Sequence, residues 1–223
     1  MIIITLAFAF GFFILYMIMD FLSGTKSRKR EFQRSLNKLK GSLSELKESI
    51  IPFDTAEFKI ISQRPEIKRL SRSSAKYYHG FLSTIYQEPL VAFALKVYPN
   101  SKKVLTIATT SKNEILFVSN KYGTIDVQID GEKAAWIDES GCLHNKEGDI
   151  VASIEDYAHS QYSVLKIGAE EVAHMNPLQS ISELNESDRL FSLFHELKAL
   201  DESLHALILA IYRILIKNRL KLD

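Results

Sequence analysis

Thirteen residues near the C-terminus constrain this chain most. The run from Leu204 to Ile216 reads Leu-His-Ala-Leu-Ile-Leu-Ala-Ile-Tyr-Arg-Ile-Leu-Ile, and only His205 and Arg213 are polar. After Pro177 there is no glycine or proline up to Asp223, so the segment is free to be helical. A helix that is apolar on every side needs an apolar environment on every side. Thirteen residues rise only about 20 Å, short of a comfortable bilayer crossing. The expectation is a helix enclosed by the rest of its own domain, with Leu207, Ile208, Ala210, Ile211 and Leu215 inaccessible although they point in different directions. A partner-binding helix, a helix lying on a membrane and a second span are the alternatives. Arg213 and His205 must then lie near the helix ends or find polar partners.

Enclosure requires a shell, and the middle of the chain supplies one. Runs rich in β-branched and aromatic residues read as strands at Val91–Tyr98, Val104–Thr110, Ile115–Ser119, Thr124–Ile129, Lys133–Ile137, Asp149–Ile154, Tyr162–Ile167 and Glu171–Met175. Turn signals separate them. Asp130-Gly131 is a two-residue hairpin signal. Asp138-Glu-Ser-Gly141, Asn145-Lys-Glu-Gly148 and Gly168-Ala169 place glycine where a left-handed residue is needed. Consecutive strands joined by tight turns make an antiparallel meander. Residues 53–76 are mixed, with Pro65 positioned to open a short helix carrying Lys68, Arg69, Arg72 and Lys76. Ser180 and Glu183 form a capping-box pattern. Leu190, Leu193, Phe194, Leu197 and Leu200 then recur at helical spacing.

The N-terminus has its own character. Met1 to Met19 holds no charge and no proline, Asp20 follows, and Phe21 and Leu22 extend the run. About 20 residues match the hydrocarbon thickness of a bilayer. Nothing basic precedes the run as a cleaved leader would require. The expectation is an uncleaved transmembrane helix at residues 1–22. Lys26, Arg28, Lys29, Arg30, Arg34, Lys38 and Lys40 all follow it, which places the N-terminus outside and the remaining chain on the cytoplasmic side. The same residues are expected to contact the anionic cytoplasmic leaflet. Phe32, Leu36, Leu39, Leu43, Leu46 and Ile50 follow at spacings of 4, 3, 4, 3 and 4, a heptad seam. That seam fits either a self-associating stalk or an amphipathic helix packed on its own domain, on lipid or on another protein, ended by Pro52.

Charge is uneven. Residues 1–103 carry 17 Lys/Arg and 8 Asp/Glu, whereas residues 104–200 carry 7 and 16. The single cysteine, Cys142, excludes an intrachain disulfide and any zinc site built on several cysteines. The fold class expected is therefore α+β. A transmembrane helix at 1–22 and a basic flank with stalk helix at 23–52 precede an antiparallel β-domain at 53–177. A C-terminal helical segment at 178–223 packs with that domain.

The meander with its Asp-x-x-Gly and Asn-x-x-Gly hairpins, closed by an apolar C-terminal helix, resembles the tubby, LURP-one and phospholipid-scramblase group over roughly residues 75–220. The resemblance implies a closed twelve-stranded barrel around a hydrophobic helix, although only eight to ten strands are legible. The group's lipid-headgroup residues, calcium segment and palmitoylated cysteines have no counterparts to align, so no functional residue carries over.

Catalytic patterns are missing from the sequence. None of the six histidines forms a zinc-protease pair, and no phosphate-cradling loop, dinucleotide fingerprint or nucleophile elbow occurs. Cys142 and His144 lie two apart and share a face if they are in a strand. Asp138, Glu139, Glu147 and Asp149 cluster around two turns, where a solvated acidic rim is the simpler reading than a metal site. No catalytic, cofactor or metal residue is expected, and the basic stretch has a simpler partner in lipid than in nucleic acid. The function expected is a membrane-anchored, non-enzymatic interaction or lipid-sensing module. The alternatives are an accessory subunit of a larger membrane complex and, third, an enzyme with an unrecognised site.

Overall fold

The computed structural model describes residues 27, 29–52, 55–70, 76–98, 103–120, 122–156, 162–177, 188–195, 197 and 199–217. The chain divides into two compact units, residues 1–38 and 39–223. Among the described residues of the first unit, 29–38 are helical, and the helix labelled α1 covers residues 29–44. Its end has a local cause. The hydroxyls of Ser42 and Ser44 donate to the carbonyls of Leu39 and Gly41, each at 2.8 Å. Such bonds offer the backbone an alternative to the helical ladder. A single 3-10 turn follows at Lys47–Ser49, and the Ile51 amide then bonds to the Pro89 carbonyl at 2.9 Å. Leu46 and Ile50 therefore leave the helical repeat that the heptad spacing implied.

The second unit is dominated by one antiparallel sheet of twelve strands in strict sequence order. They are β1 (Glu66–Arg69), β2 (Lys76–Ser83), β3 (Pro89–Val97), β4 (Val104–Thr109), β5 (Glu114–Ser119) and β6 (Ile125–Ile129). The series continues with β7 (Glu132–Ile137), β8 (Leu143–His144), β9 (Ile150–Asp156), β10 (Ser163–Ile167), β11 (Glu170–Met175) and β12 (Phe191–Phe194). The β6–β7 hairpin turns on Asp130 (φ 51°) and Gly131 (φ 89°), the left-handed pair that an Asp-Gly turn needs. Gly80 answers a different demand. A Cβ there would lie 1.6 Å from the Glu66 carbonyl oxygen, so β1 can approach β2 only over a bare backbone.

The sheet is open in its ladder, since β1 and β12 do not pair with each other. The segment before β1 reaches both sides instead. Ser62 N–H bonds to Ser83 at 2.9 Å, while Gln63 N–H bonds to Asp188 and Leu190 N–H to Ile61, both at 2.8 Å. Phe58 sits beside β12, stacked on Phe194 with ring centroids 5.0 Å apart and tilted against Phe191.

The helix α2 (Leu200–Ile211), continued by a π-helical turn at Tyr212–Lys217, lies in the same apolar cluster as the inward residues of the sheet. Phe93, Ile115, Phe117, Val127, Ile137 and Leu165 belong to that cluster. Ala206 through Ile211 are 0–2 % exposed on every side of the helix. The other face of β3 and β4 is also covered, because Ala92, Ala94, Leu105 and Ile107 are buried too. Apolar residues on both faces explain why these strands read as continuous apolar runs rather than alternating ones.

The expected fold class is corrected by these observations. The described chain is mostly antiparallel β sheet with two short helices, not α+β. The span expected at residues 1–22 lies outside the described residues, and among the described residues no helix is long and apolar enough to cross a membrane. Two expected helices turn out otherwise. Glu66–Arg69 after Pro65 is strand β1, with Arg72 outside the described residues. The stretch Leu190–Leu200 contains β12, and α2 begins only at Leu200. In β12, Phe194, which fitted the helical stripe, instead stacks on Phe58 beside Phe191, and tertiary packing overrides a short periodic pattern. The Ser180–Glu183 pattern lies outside the described residues.

Candidate functional site

Among the described residues of the helix, Arg213 is the one charged side chain that is buried, at 5 % exposed. Its Nη1 donates to Asp156 Oδ1 at 3.1 Å and its Nη2 to Ser163 Oγ at 2.6 Å. Ser163 Oγ donates in turn to Asp156 Oδ1, and Lys217 Nζ reaches Asp156 Oδ2 at 2.9 Å. Neighbouring strands β9 and β10 thus present Asp156 and Ser163 to the exit of the helix, where they face each other in register. The π-helical turn carries both Arg213 and Lys217 to this point. Partial burial pushes the Asp156 carboxyl up, but bonds from Ser163, Lys217 and Arg213 outweigh it and hold the group far below the usual carboxylate range. Arg213 Nε is buried without a hydrogen-bond partner among the described residues. The cluster is a closed ion network that locks the helix end to the sheet.

A second cluster joins β7 and β8. His144 Nε2 lies 3.0 Å from Asp138 Oδ2 and Nδ1 lies 3.1 Å from the Gly148 carbonyl, so both ring nitrogens face acceptors. The Trp136 indole stacks on the imidazole at 3.9 Å and nearly parallel. Asp138 also accepts the Cys142 amide at 2.9 Å. Burial raises the Asp138 carboxyl, while its bonds to His144 and Cys142 lower it further than that, for a net fall. Burial, reinforced by Asp138 and Glu155, pushes the Cys142 thiol up, which is opposite to nucleophile activation. The ring nitrogens of His144 are engaged by oxygens, not by the Cys142 sulfur. Tyr212 approaches from the helix, 3.5 Å from where a Cβ on Gly141 would stand.

The other carboxylates of the turns do not converge. Asp149 bonds within its own turn to Asn145, and no group of three or more metal-ligating side chains occurs among the described residues. One polar cleft of about 390 Å³ lies beside β1, lined by Ser62, Arg64, Glu66, Ser83 and Thr84. A broader one of about 730 Å³ lies over the β10–β11 turn, lined by Glu170, Glu171, His195 and Glu202.

The residues expected at a membrane surface occupy α1 and its approach. Lys29, Arg30, Arg34, Lys38 and Lys40 are exposed, whereas Lys26 and Arg28 lie outside the described residues. In the seam, Leu39 and Leu43 are 0 % and 1 % exposed, and Phe32, Leu36, Leu46 and Ile50 are half-buried. Within the second unit, Ser42 O lies 3.4 Å from His79 Nδ1, and Lys40 Nζ lies 2.6 Å from Glu114 Oε1. The helix residues Leu207, Ile208, Ala210, Ile211 and Leu215 are at most 2 % exposed. Sequence reasoning required a partner for Arg213 but did not identify Asp156 and Ser163. It did not find Glu114 opposite Lys40, nor the Trp136–His144 stack. No short-range signal marks these pairs, because strand register creates them. Comparison with protein-family models, with curated proteins and with solved structures finds no match to this chain.

Proposed function

We propose that this protein is a non-enzymatic interaction module that adsorbs to anionic lipid surfaces through the cationic face of residues 29–40. One observation carries the reading. Lys29, Arg30, Arg34, Lys38 and Lys40 are all exposed, and they precede a domain whose residues 104–200 carry 16 acidic and only 7 basic residues. Clustered Lys and Arg side chains of this kind draw a chain to an anionic bilayer, which repels acidic segments. Adsorption by charge needs no membrane-crossing helix. The proposed likeness to the tubby, LURP-one and phospholipid-scramblase group draws support from twelve antiparallel strands in sequence order and from the apolar α2 in their common core. The hydrogen-bonded commitments of Arg213 and His144 favour fixed structural roles over turnover.

The test is vesicle co-sedimentation of the full chain with phosphatidylserine-containing and with pure phosphatidylcholine vesicles. Each basic residue near the surface contributes about 1 kcal/mol. Neutralising Lys29, Arg30, Arg34 and Lys38 to glutamine should then weaken binding roughly a thousandfold. Added salt should weaken the wild type similarly in direction. Equal binding to both vesicle types, or binding indifferent to salt, refutes the reading.

A further inference from the structure

Lys40 and Lys47 stand one heptad apart, on either side of the end of α1, yet both ammonium groups turn to one carboxylate. Lys40 Nζ is 2.6 Å from Glu114 Oε1, and Lys47 Nζ is 3.7 Å from Glu114 Oε2. Each oxygen thus meets its own lysine. The neighbouring carboxylate, Asp130, also attracts Lys47 but spends its hydrogen bonds elsewhere. It accepts the Glu114 amide at 2.8 Å and the Asn113 side chain at 3.0 Å. Glu114 is the carboxylate that both lysines reach as an ion pair. Both lysine side chains are about half exposed, at 48 % and 47 %, so an anion arriving from outside reaches them without unfolding anything. The backbone below them is fixed, by the buried Leu39 and Leu43 on one side and by the Ile51–Pro89 bond on the other.

Two ammonium groups held on a fixed backbone and converging on a carboxylate constitute an anion-binding pair already filled by a residue of the same chain. We infer that Glu114 is a built-in competitor for the lipid surface, holding Lys40 and Lys47 until anionic headgroups replace it. The inference rests on the proposed adsorption to anionic lipid and adds regulation to that same face. It sets an affinity ceiling. The protein leaves neutral or weakly charged membranes because its own carboxylate is the better partner there. It stays where anionic lipid is dense enough to outcompete a single carboxylate.

The test uses the full chain on phosphatidylserine-containing vesicles, comparing wild type, Glu114→Gln, Lys40→Gln/Lys47→Gln and the triple combination. Glu170→Gln, at the start of β11, changes the net charge equally and serves as control. An exposed ion pair of this kind predicts a gain of about two- to fivefold in affinity for Glu114→Gln over Glu170→Gln. In the background lacking both lysines, Glu114→Gln should gain no more than the charge control does. If Glu114→Gln and Glu170→Gln bind alike while wild type still prefers anionic vesicles, the competitor is refuted and adsorption stands. If the gain persists without the two lysines, the pairing is refuted. If wild type shows no preference for anionic vesicles, both fall.

Discussion

Replacing Asp156 by asparagine tests how the buried helix is held. The substitution keeps the side-chain shape and removes one charge from a network in which the two partners are unequal. Asp156 is half exposed, with 53 % of its side chain accessible, so its own charge stays well hydrated. Arg213 is the buried member, with 6 % accessible. In the variant its guanidinium keeps Ser163 as an acceptor but loses its anion. Stripping one partner from a fully buried pair costs about 3–5 kcal/mol, and access of water from the Asp156 side lowers this to roughly 2–4 kcal/mol. For a domain of this size the melting temperature should fall by roughly 4–16 °C. Differential scanning calorimetry at neutral pH reads this directly. Asp156→Asn/Arg213→Met removes the orphaned charge and should recover much of the loss. The pH dependence follows from the depressed carboxyl of Asp156. Its stabilisation is full above the unfolded carboxyl value near 3.8 and is lost as acid approaches the much lower folded value, so below about pH 4 wild type should lose stability more steeply than Asp156→Asn. A variant that melts within about 1 °C of wild type at neutral pH, or a double variant no better than the single, refutes the network as the helix lock.

Two further substitutions address the core and the thiol. Ala210→Asp places a carboxylate at a site 1 % exposed, at a cost of several kcal/mol against a total of about 5–15, so cooperative melting followed by β-sheet circular dichroism should be lost or strongly lowered; an unchanged melt contradicts enclosure of α2. Alkylation of Cys142 by iodoacetamide should still be accelerating at pH 9, because burial and the nearby Asp138 and Glu155 raise its thiol above the ordinary 9.0; a rate that plateaus below that pH contradicts the environment described for it.

The parts of the fold that were legible in the sequence are those written locally. Asp130-Gly131 specified its hairpin because only that backbone conformation joins the two strands, and the apolar alternation around it fixed the faces. The apolar run from Leu204 could be read as enclosed on polarity alone. Less was legible where a short segment fits two periods. Phe191–Phe194 satisfies a helical stripe and a strand equally, and the deciding contact is Phe58, more than 130 residues earlier. β8 has two residues, too few for any pattern. The heptad seam implied one long helix, yet serine hydroxyls at 42 and 44 and the docking of Leu39 and Leu43 end it early. The network around Arg213 was half legible. A buried guanidinium demands an anion, but Asp156 is 57 positions away and arrives only through the order of the strands.

That order has a consequence for biogenesis. Every strand pairs with the one made just before it, so the meander can zip up progressively as the chain emerges. The helical element packed in the same core, Ala206 to Ile216, is made after all twelve strands. At about 5–20 residues per second, the roughly 120 residues from Phe93 to Ile216 take about 6–25 s to appear. From its own synthesis until the helix appears, each of Phe93, Ile115, Phe117 and Val127 has no helix to pack against, and the apolar surface they form is exposed. Completion of the core therefore waits on a helix that follows every strand it packs with. The exposure of this core to misassociation is therefore kinetic, set by the delay between the strands and the helix.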